Sequence, residues 1–276
     1  MINTKDVNQH CSGNAVIPVI VIVVIVALVG SFLFFGAMPM PAGGPAPAPV
    51  AAGGTVTGTE PLDKIVKKEV SAGQSAERKM VAKIELPTPT FTGTPKDIPP
   101  HVKIDKKAYG KARGPFMVPA GSEVISRDKP VTASDEPLVG DLEQITDGDK
   151  EGQDSSWIEF DSGKQYVTID LEKEAHLDAI VFWHYHKEPR FYYDVIVEVA
   201  DDAEFTQNVR VLFNNDYDNS YGKGEGKDYE YVEAKDGRLV DPKGTKARYV
   251  RLHSRGSTAD DLNHYTEVEV WGRAVK

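Results

Sequence analysis

The stretch "DAIVFWHYH", residues 178–186, decides how this chain folds. Ile180, Phe182 and His184 fall on one parity; Val181, Trp183 and Tyr185 fall on the other. The run is short, rich in β-branched and aromatic residues, and bounded by a charged "KEPR" turn at 187–190. It reads as a strand buried on both faces, the pattern of a central strand between packed layers.

Working outward, similar runs recur at turn-bounded intervals. Strands are predicted at 157–160 (WIEF), 166–171 (YVTIDL), 192–200 (YYDVIVEVA), 209–213 (VRVLF), 229–234 (YEYVEA), 247–253 (ARYVRLH) and 265–271 (YTEVEVW). No helix of more than two turns is visible after about Gly121. Short strands with short connections predict an all-β sandwich or barrel of roughly 150 residues.

Charge is distributed unevenly. Residues 1–120 carry 13 Lys/Arg against 8 Asp/Glu, whereas residues 121–276 carry 19 against 34. A domain of net charge −15 repels phosphate, and nucleic acid is excluded as a partner. Cys11 is the only cysteine and precedes the apolar run, so neither an intrachain disulfide nor a lipoprotein-type cysteine is expected.

Residues 15–38 are predicted to form a transmembrane helix, because Ala15–Phe35 is 21 residues without a charge. At 1.5 Å per residue that stretch spans a hydrocarbon core of about 30 Å. Lys5 and the α-amino group place the short N-terminus, residues 1–14, in the cytoplasm and the C-terminal domain outside it, periplasmic or at the cell surface. A cleaved signal peptide with a small-residue site near Ala37 is the alternative. Residues 39–120 are predicted as an extended linker, Pro/Ala/Gly-rich at first and basic later, with 12 Lys/Arg against 6 Asp/Glu over residues 61–120. This basic strap lies on anionic lipid, on its own acidic domain, or in solvent.

The ordered features "KPVTASDEPLVGDLEQITDGDKEGQDSSWIEFDSGKQYVTIDL" (129–171), "DAIVFWHYH", "YYDVIVEVADDAEF" (192–205), "KARYVRLHS" (246–254) and "HYTEVEVWG" (264–272) resemble the discoidin, or coagulation factor five/eight type C, family. The resemblance covers about residues 122–273 and implies a galactose-binding-like jelly-roll β-sandwich in residues 121–276. Such a fold carries modules that bind sugars, lipids and proteins. It also implies a structural Ca2+ site formed by the Asp-Gly-Asp loop and an acidic residue of the last strand, here Asp147, Asp149 and Glu267. Hard carboxylate and carbonyl oxygens suit Ca2+, although an Asx turn accounts for the same Asp-Gly-Asp residues.

Strand parity then predicts where a ligand would sit. If the strands alternate in direction, the connections after 178–186, 209–213 and 247–253 emerge at one end. That end gathers "KEPR", "NNDYDNSYGKGEGKD" (214–228) and "SRGSTADDLNH" (254–264). Amide, carboxylate and guanidinium groups beside aromatic rings are what sugar hydroxyls and ring faces require. The candidates are His186, Arg190, Asn214, Asn215, Asp216, Asp218, Asn219, Tyr221, Asn263 and His264. A turn-rich loop satisfying its own backbone is the competing reading of the Asn/Asp run.

His184 and His186 share one strand face, about 6.6–6.8 Å apart along the backbone, a spacing compatible with a shared metal. No His-Glu-x-x-His or Cys-x-x-Cys companion accompanies them, and a hydrogen-bonded sandwich residue is the alternative. Trp183 and Tyr185 are expected in the core. The domain lacks Gly-x-Ser-x-Gly, a phosphate loop and cysteine, so no enzyme is predicted. The sequence therefore points to a membrane-anchored, extracytoplasmic binding module for a glycan. The alternatives are a docking domain for a cell-surface or envelope protein and, third, a metal-dependent enzyme.

Overall fold

The computed structural model describes residues 78–91, 93–153 and 156–275. The predicted transmembrane helix at 15–38, the N-terminus at 1–14 and the linker as far as residue 77 lie outside the described residues. No helix among the described residues is long and apolar enough to cross a membrane.

The described chain is all-β, with one short 3-10 turn at Leu142–Ile145. Its strands are β1 (Lys79–Val81), β2 (Met117–Pro119), β3 (Glu123–Val124), β4 (Val131–Ala133), β5 (Ile158–Phe160) and β6 (Gln165–Trp183). They continue as β7 (Ile196–Ala200), β8 (Arg210–Asn214), β9 (Arg238–Val240), β10 (Lys246–Ser254), β11 (Asn263–Tyr265) and β12 (Glu267–Ala274). The principal sheet runs β3-β12-β6-β10-β7-β8, with β4 and β9 also pairing with β6. β5 and β11 form a small second sheet.

The organising element is β6. Its first half pairs antiparallel with β10, from Gln165↔Ser254 to Asp170↔Tyr249. Its second half pairs with β12, from Ala175↔Ala274 to Trp183↔Glu267. The two strands predicted at 166–171 and 178–186 are thus one strand, interrupted by a bulge in which Glu172 adopts φ 65°. Bulges of this kind bend a strand and let one chain serve two parts of a curved sheet. Arg248 spans the bulge by donating to both Asp170 carboxylate oxygens at 2.7 and 2.8 Å.

The apolar parity of each strand faces inward. Val167, Ile169, Ile180 and Phe182 of β6 meet Val250 and Leu252 of β10 and Val268 and Val270 of β12 in one buried cluster. Fully burying each such side chain stabilises the fold by about 1.5–3 kcal/mol. The opposite parity of β12 carries Glu267 and Glu269, both also buried.

Two predictions need correction. Residues 229–234 form no strand; they are held by isolated bridges, Glu230 to Ile104 and Val232 to Phe191. Alternate residues find partners on different segments, so a continuous ladder cannot form. The predicted boundary at 121 is also displaced, because residues 78–120 pack on the domain. β1 pairs with β2, and Ala82 and Val118 form a second buried cluster with Ala179 and Trp271. The alternating Met80, Ala82 and Ile84 supply the apolar stripe that a solvated linker would lack. For this described part, the strap lies on its own acidic domain.

Candidate functional site

The segments expected to converge do meet at one end of the sheet. Tyr193 and Arg255 lie opposite each other there: Arg255 N–H donates to Tyr193 C=O, and Tyr193 N–H donates to Gly256 C=O, each at 3.0 Å. Phe191 and Thr258 exchange a similar contact, with Phe191 N–H donating to Thr258 Oγ1 at 3.0 Å. The 214–228 loop joins through Tyr221, whose hydroxyl donates to Ser254 C=O at 2.5 Å. A fourth segment, 161–164, enters as well, because Asn263 Nδ2 donates to the carbonyls of Asp161 and Gly163.

Most of the candidate side chains serve this junction from within. Asn263 is fully buried, and its Oδ1 accepts from Ser254 Oγ and Gly256 N–H at 2.8 Å each. Asn214 Oδ1 accepts from Asp216 N–H at 2.8 Å while its Nδ2 donates to Gly224 C=O. Asn215 Oδ1 accepts from Val195 N–H at 2.6 Å. Asp216 accepts from Ser220 N–H and Tyr221 N–H. These are bonds of a loop that satisfies its own backbone, as Asn and Asp do in turns. Asp218 and Asn219 are exposed, and Asn219 Oδ1 accepts from Gly224 N–H at 2.8 Å. His186 is not part of this junction; it is buried against the 150–152 loop, with Nε2 donating to Lys150 C=O at 2.7 Å.

Carboxylate oxygens of Asp194, Asp216 and Asp218 lie within 4.8 Å of one another. Arg255 Nη1 donates to Asp194 at 3.1 Å, and burial followed by repulsion from Asp216 raises the Asp194 carboxyl above its ordinary range.

A partly exposed aromatic surface lies beside this junction. Trp157 and Tyr185 are partly exposed, with ring centroids 5.2 Å apart and planes at 66°. His264 adjoins both rings at 5.5 and 5.9 Å. The Arg190 guanidinium lies 4.9 Å from the Tyr185 ring centroid and donates to Asp260 and Glu188 at 3.2 and 3.3 Å. His264 is fixed between the Tyr192 hydroxyl at 3.2 Å and Glu159 at 3.1 Å, and burial pushes its imidazole below the ordinary histidine range. Sequence reasoning missed Trp157, Tyr185, Glu159, Glu188 and Asp260. Tyr185 was expected in the core, but β6 ends at Trp183, so strand parity no longer governs it. Trp157 likewise precedes β5 and escapes its alternation.

The two histidines are held by different groups, His186 by the Lys150 carbonyl and His184 by Glu233. His184 is fully buried, with Nδ1 3.1 Å from Glu233 and its ring stacked 4.1 Å from Tyr192.

Of the residues implied as Ca2+ ligands, Glu267 lies against the Asp-Gly-Asp loop, while the ligand atoms of Asp147, Asp149 and Glu267 do not all gather within 4.8 Å of one another. Glu267 Oε2 accepts from Gly148 N–H at 2.9 Å, which brings β12 to the Asp-Gly-Asp loop. The other Glu267 oxygen is buried without a partner, and burial raises this carboxyl to about 8. Asp147 and Asp149 each lend Oδ1 to a loop amide, at 2.7 and 2.9 Å, leaving one oxygen apiece for a cation. The unpartnered buried oxygen of Glu267 is the feature here that suits a hard cation. Gly148 adopts φ 87°, a backbone conformation that L side chains rarely take, in the loop covered by the exposed Arg127 guanidinium.

No protein-family model matches this chain, and no curated protein matches it. Among solved structures it is similar to the CBM32 of AlyQ in complex with 4,5-unsaturated mannuronic acid, at 18% identity and TM-score 0.38, covering 52% of this chain and 95% of that one. It is also similar to CpGH89CBM32-4 of Clostridium perfringens in complex with GlcNAc-alpha-1,4-galactose, at 17% identity and TM-score 0.41, covering 55% and 95%. A pectin-binding carbohydrate-binding module is matched at 21% identity and TM-score 0.38, covering 54% and 91%.

Proposed function

We propose that this protein is a non-catalytic carbohydrate-binding module that recognises its ligand at the loop end of the sandwich. The observation that carries this reading is the partly exposed Trp157–Tyr185 pair flanked by Arg190, Asp260, Glu188 and the Glu159–His264 couple. Ring faces stack on sugar C–H surfaces, while planar charged groups pair with hydroxyls in fixed directions. The resemblance to the discoidin family supports the same assignment. The uncharged run at 15–38 supports a single-pass anchor with the module held outside the cytoplasm, and the Glu267 loop supports a structural Ca2+ ion.

Binding of the full-length chain to a glycan array, followed by affinity electrophoresis on the best neutral ligand, tests the proposal. Trp157→Ala and Asp260→Ala are expected to weaken binding at least tenfold with an unchanged melting temperature. Native affinity in both variants would remove the loop face from consideration. A second reading, protein docking, is favoured by Leu138 and Val139, which remain 58% and 39% exposed. Val139 is bridged to Glu159, next to Trp157. Capture of one partner protein, unaffected by competing sugar and lost on Leu138→Asp, would establish that reading instead.

A further inference from the structure

A second concavity, lined by neither Trp157 nor Tyr185, lies between the strap and the 227–239 segment and has a volume of about 1020 Å3. This is the upper end of the roughly 300–1,000 Å3 occupied by small-molecule sites, which leaves room for an oligosaccharide. The strap roofs it. Lys103 N–H donates to Glu230 Oε2 at 2.5 Å, the Tyr109 hydroxyl donates to Pro95 C=O at 3.1 Å, and Arg113 Nη1 reaches Gly237 C=O at 3.4 Å.

The charge of this cavity runs against that of the domain. Its walls hold Lys111, Arg113, Lys227, Lys235 and Arg238, although residues 121–276 carry a net charge of −15. The wall carboxylates are Asp105, Asp228, Glu230 and Asp236. Three of them are turned onto backbone amides: Asp105 on Lys107, Asp228 on Asn214 and Glu230 on Lys103. Asp236 is the one left to act on Arg113. Arg238 has no ion pair or hydrogen bond from its guanidinium among the described residues. It rests on the Phe213 and Tyr231 rings at 4.7 and 5.0 Å, with Nε buried and unpartnered. A guanidinium held beside two aromatic rings, with no hydrogen-bond partner of its own among the described residues, can pair with a planar anion. Tyr229, 54% exposed, and Tyr109 of the strap both line the cavity.

We infer that the cavity under the strap is a second binding site, for an acidic saccharide of the hexuronate class, with Arg238 and Arg113 receiving its carboxylate and Tyr109 and Tyr229 bordering its rings. The strap lies outside the stretch that resembles the discoidin family, whereas Tyr229 and Arg238 lie within it, so the cavity is formed jointly by the two. It does not depend on the loop-face proposal.

Isothermal titration of the full-length chain with tetragalacturonate and tetramannuronate provides the test, with the methyl esters of the same tetramers as controls. At least one tetramer is expected to bind, with affinity reduced at least tenfold by esterification and at least tenfold by Arg113→Gln or Arg238→Gln. Tyr229→Ala, which alters only an exposed lining residue, guards against a folding defect in the arginine variants and is expected to weaken binding as well. Trp157→Ala is expected to leave it unchanged. The inference is overturned if neither tetramer binds, if esters bind equally, or if both arginine variants keep native affinity. It is also overturned if Trp157→Ala abolishes uronate binding, which would assign the ligand to the loop face.

Discussion

His184 Nδ1 lies 3.1 Å from Glu233 Oε2, and neither side chain is exposed to solvent. Burial, reinforced by repulsion from His264, holds the imidazole down to about 3, and burial holds the carboxyl well above its usual range. The imidazole is therefore neutral near pH 7, and burial disfavours charge on the carboxyl facing it. Burial thus acts against an ion pair at this contact by disfavouring the charged form of both partners.

The stability of this pair has opposite pH slopes on its two flanks. Glu233 keeps its proton in the folded state above the unfolded value of about 4.3, so unfolding releases a proton and stability falls as pH rises from there. His184 stays neutral in the folded state below the unfolded value of about 6.5, so its contribution falls as pH drops from there towards 3. Glu233→Gln retains a donor for His184 and is expected to flatten the alkaline decline, whereas Glu233→Ala is expected to cost about 2 kcal/mol. Urea midpoints between pH 4 and 9 measure both, and an unchanged alkaline slope in Glu233→Gln would refute the assignment.

Glu267 leads to a calcium-dependent prediction. Without a cation its carboxyl, raised to about 8, makes stability fall as pH rises from about 4.3 through 8. With Ca2+ at 100 times its Kd, the native state gains about 2.7 kcal/mol. Thermal melts at pH 7.5 should rise on adding Ca2+ and fall on chelation, and Glu267→Gln should remove the response. A melt indifferent to Ca2+ would count against the site.

Asn263→Ala is expected to destabilise the domain by about 2–3 kcal/mol, because it strips partners from buried groups on both the 254–256 and 161–163 segments. Chemical denaturation measures this. A native midpoint would mean that the junction does not depend on the amide.

Truncation at Ala120 should also be costly. Removing β1 and β2 uncovers Ala179 and Trp271, so the shortened chain should melt lower than one retaining residues from 78 onward. Equal melting temperatures would return residues 78–120 to the role of a linker.

Much of the strand pattern was legible because alternation and β-branching are local properties. The predicted runs at 247–253 and 209–213 appear, shifted by a residue or so, as β10 and β8. The run at 229–234 was misread for the same reason: its alternation suits a strand, but its partners lie on two separate segments. The three loops meet for a reason other than strand alternation, since β6 and β7 both pair antiparallel with β10, run parallel to each other and are joined by a crossover at 184–195; that the loops are polar followed from composition. Which side chains reach solvent there did not, since Asn215, Arg190 and Asn263 look like surface residues in a polar loop and are buried in the fold. The proline-rich strap concealed its packing in a different way, because missing amide donors hide the alternating stripe at Met80, Ala82 and Ile84.

The sequence by itself determined the all-β class, the acidity of the domain and the existence of a polar loop cluster, because each depends on composition and short-range periodicity. The tertiary structure alone decided that one bent strand, Gln165–Trp183, serves both halves of the sheet. It likewise decided that Trp157 meets Tyr185, that Arg238 stands unpaired in a cavity, and that one Glu267 oxygen lacks a partner. Those relations join residues far apart in the chain, where contact is set by the packing of whole strands and local pattern carries no information about it.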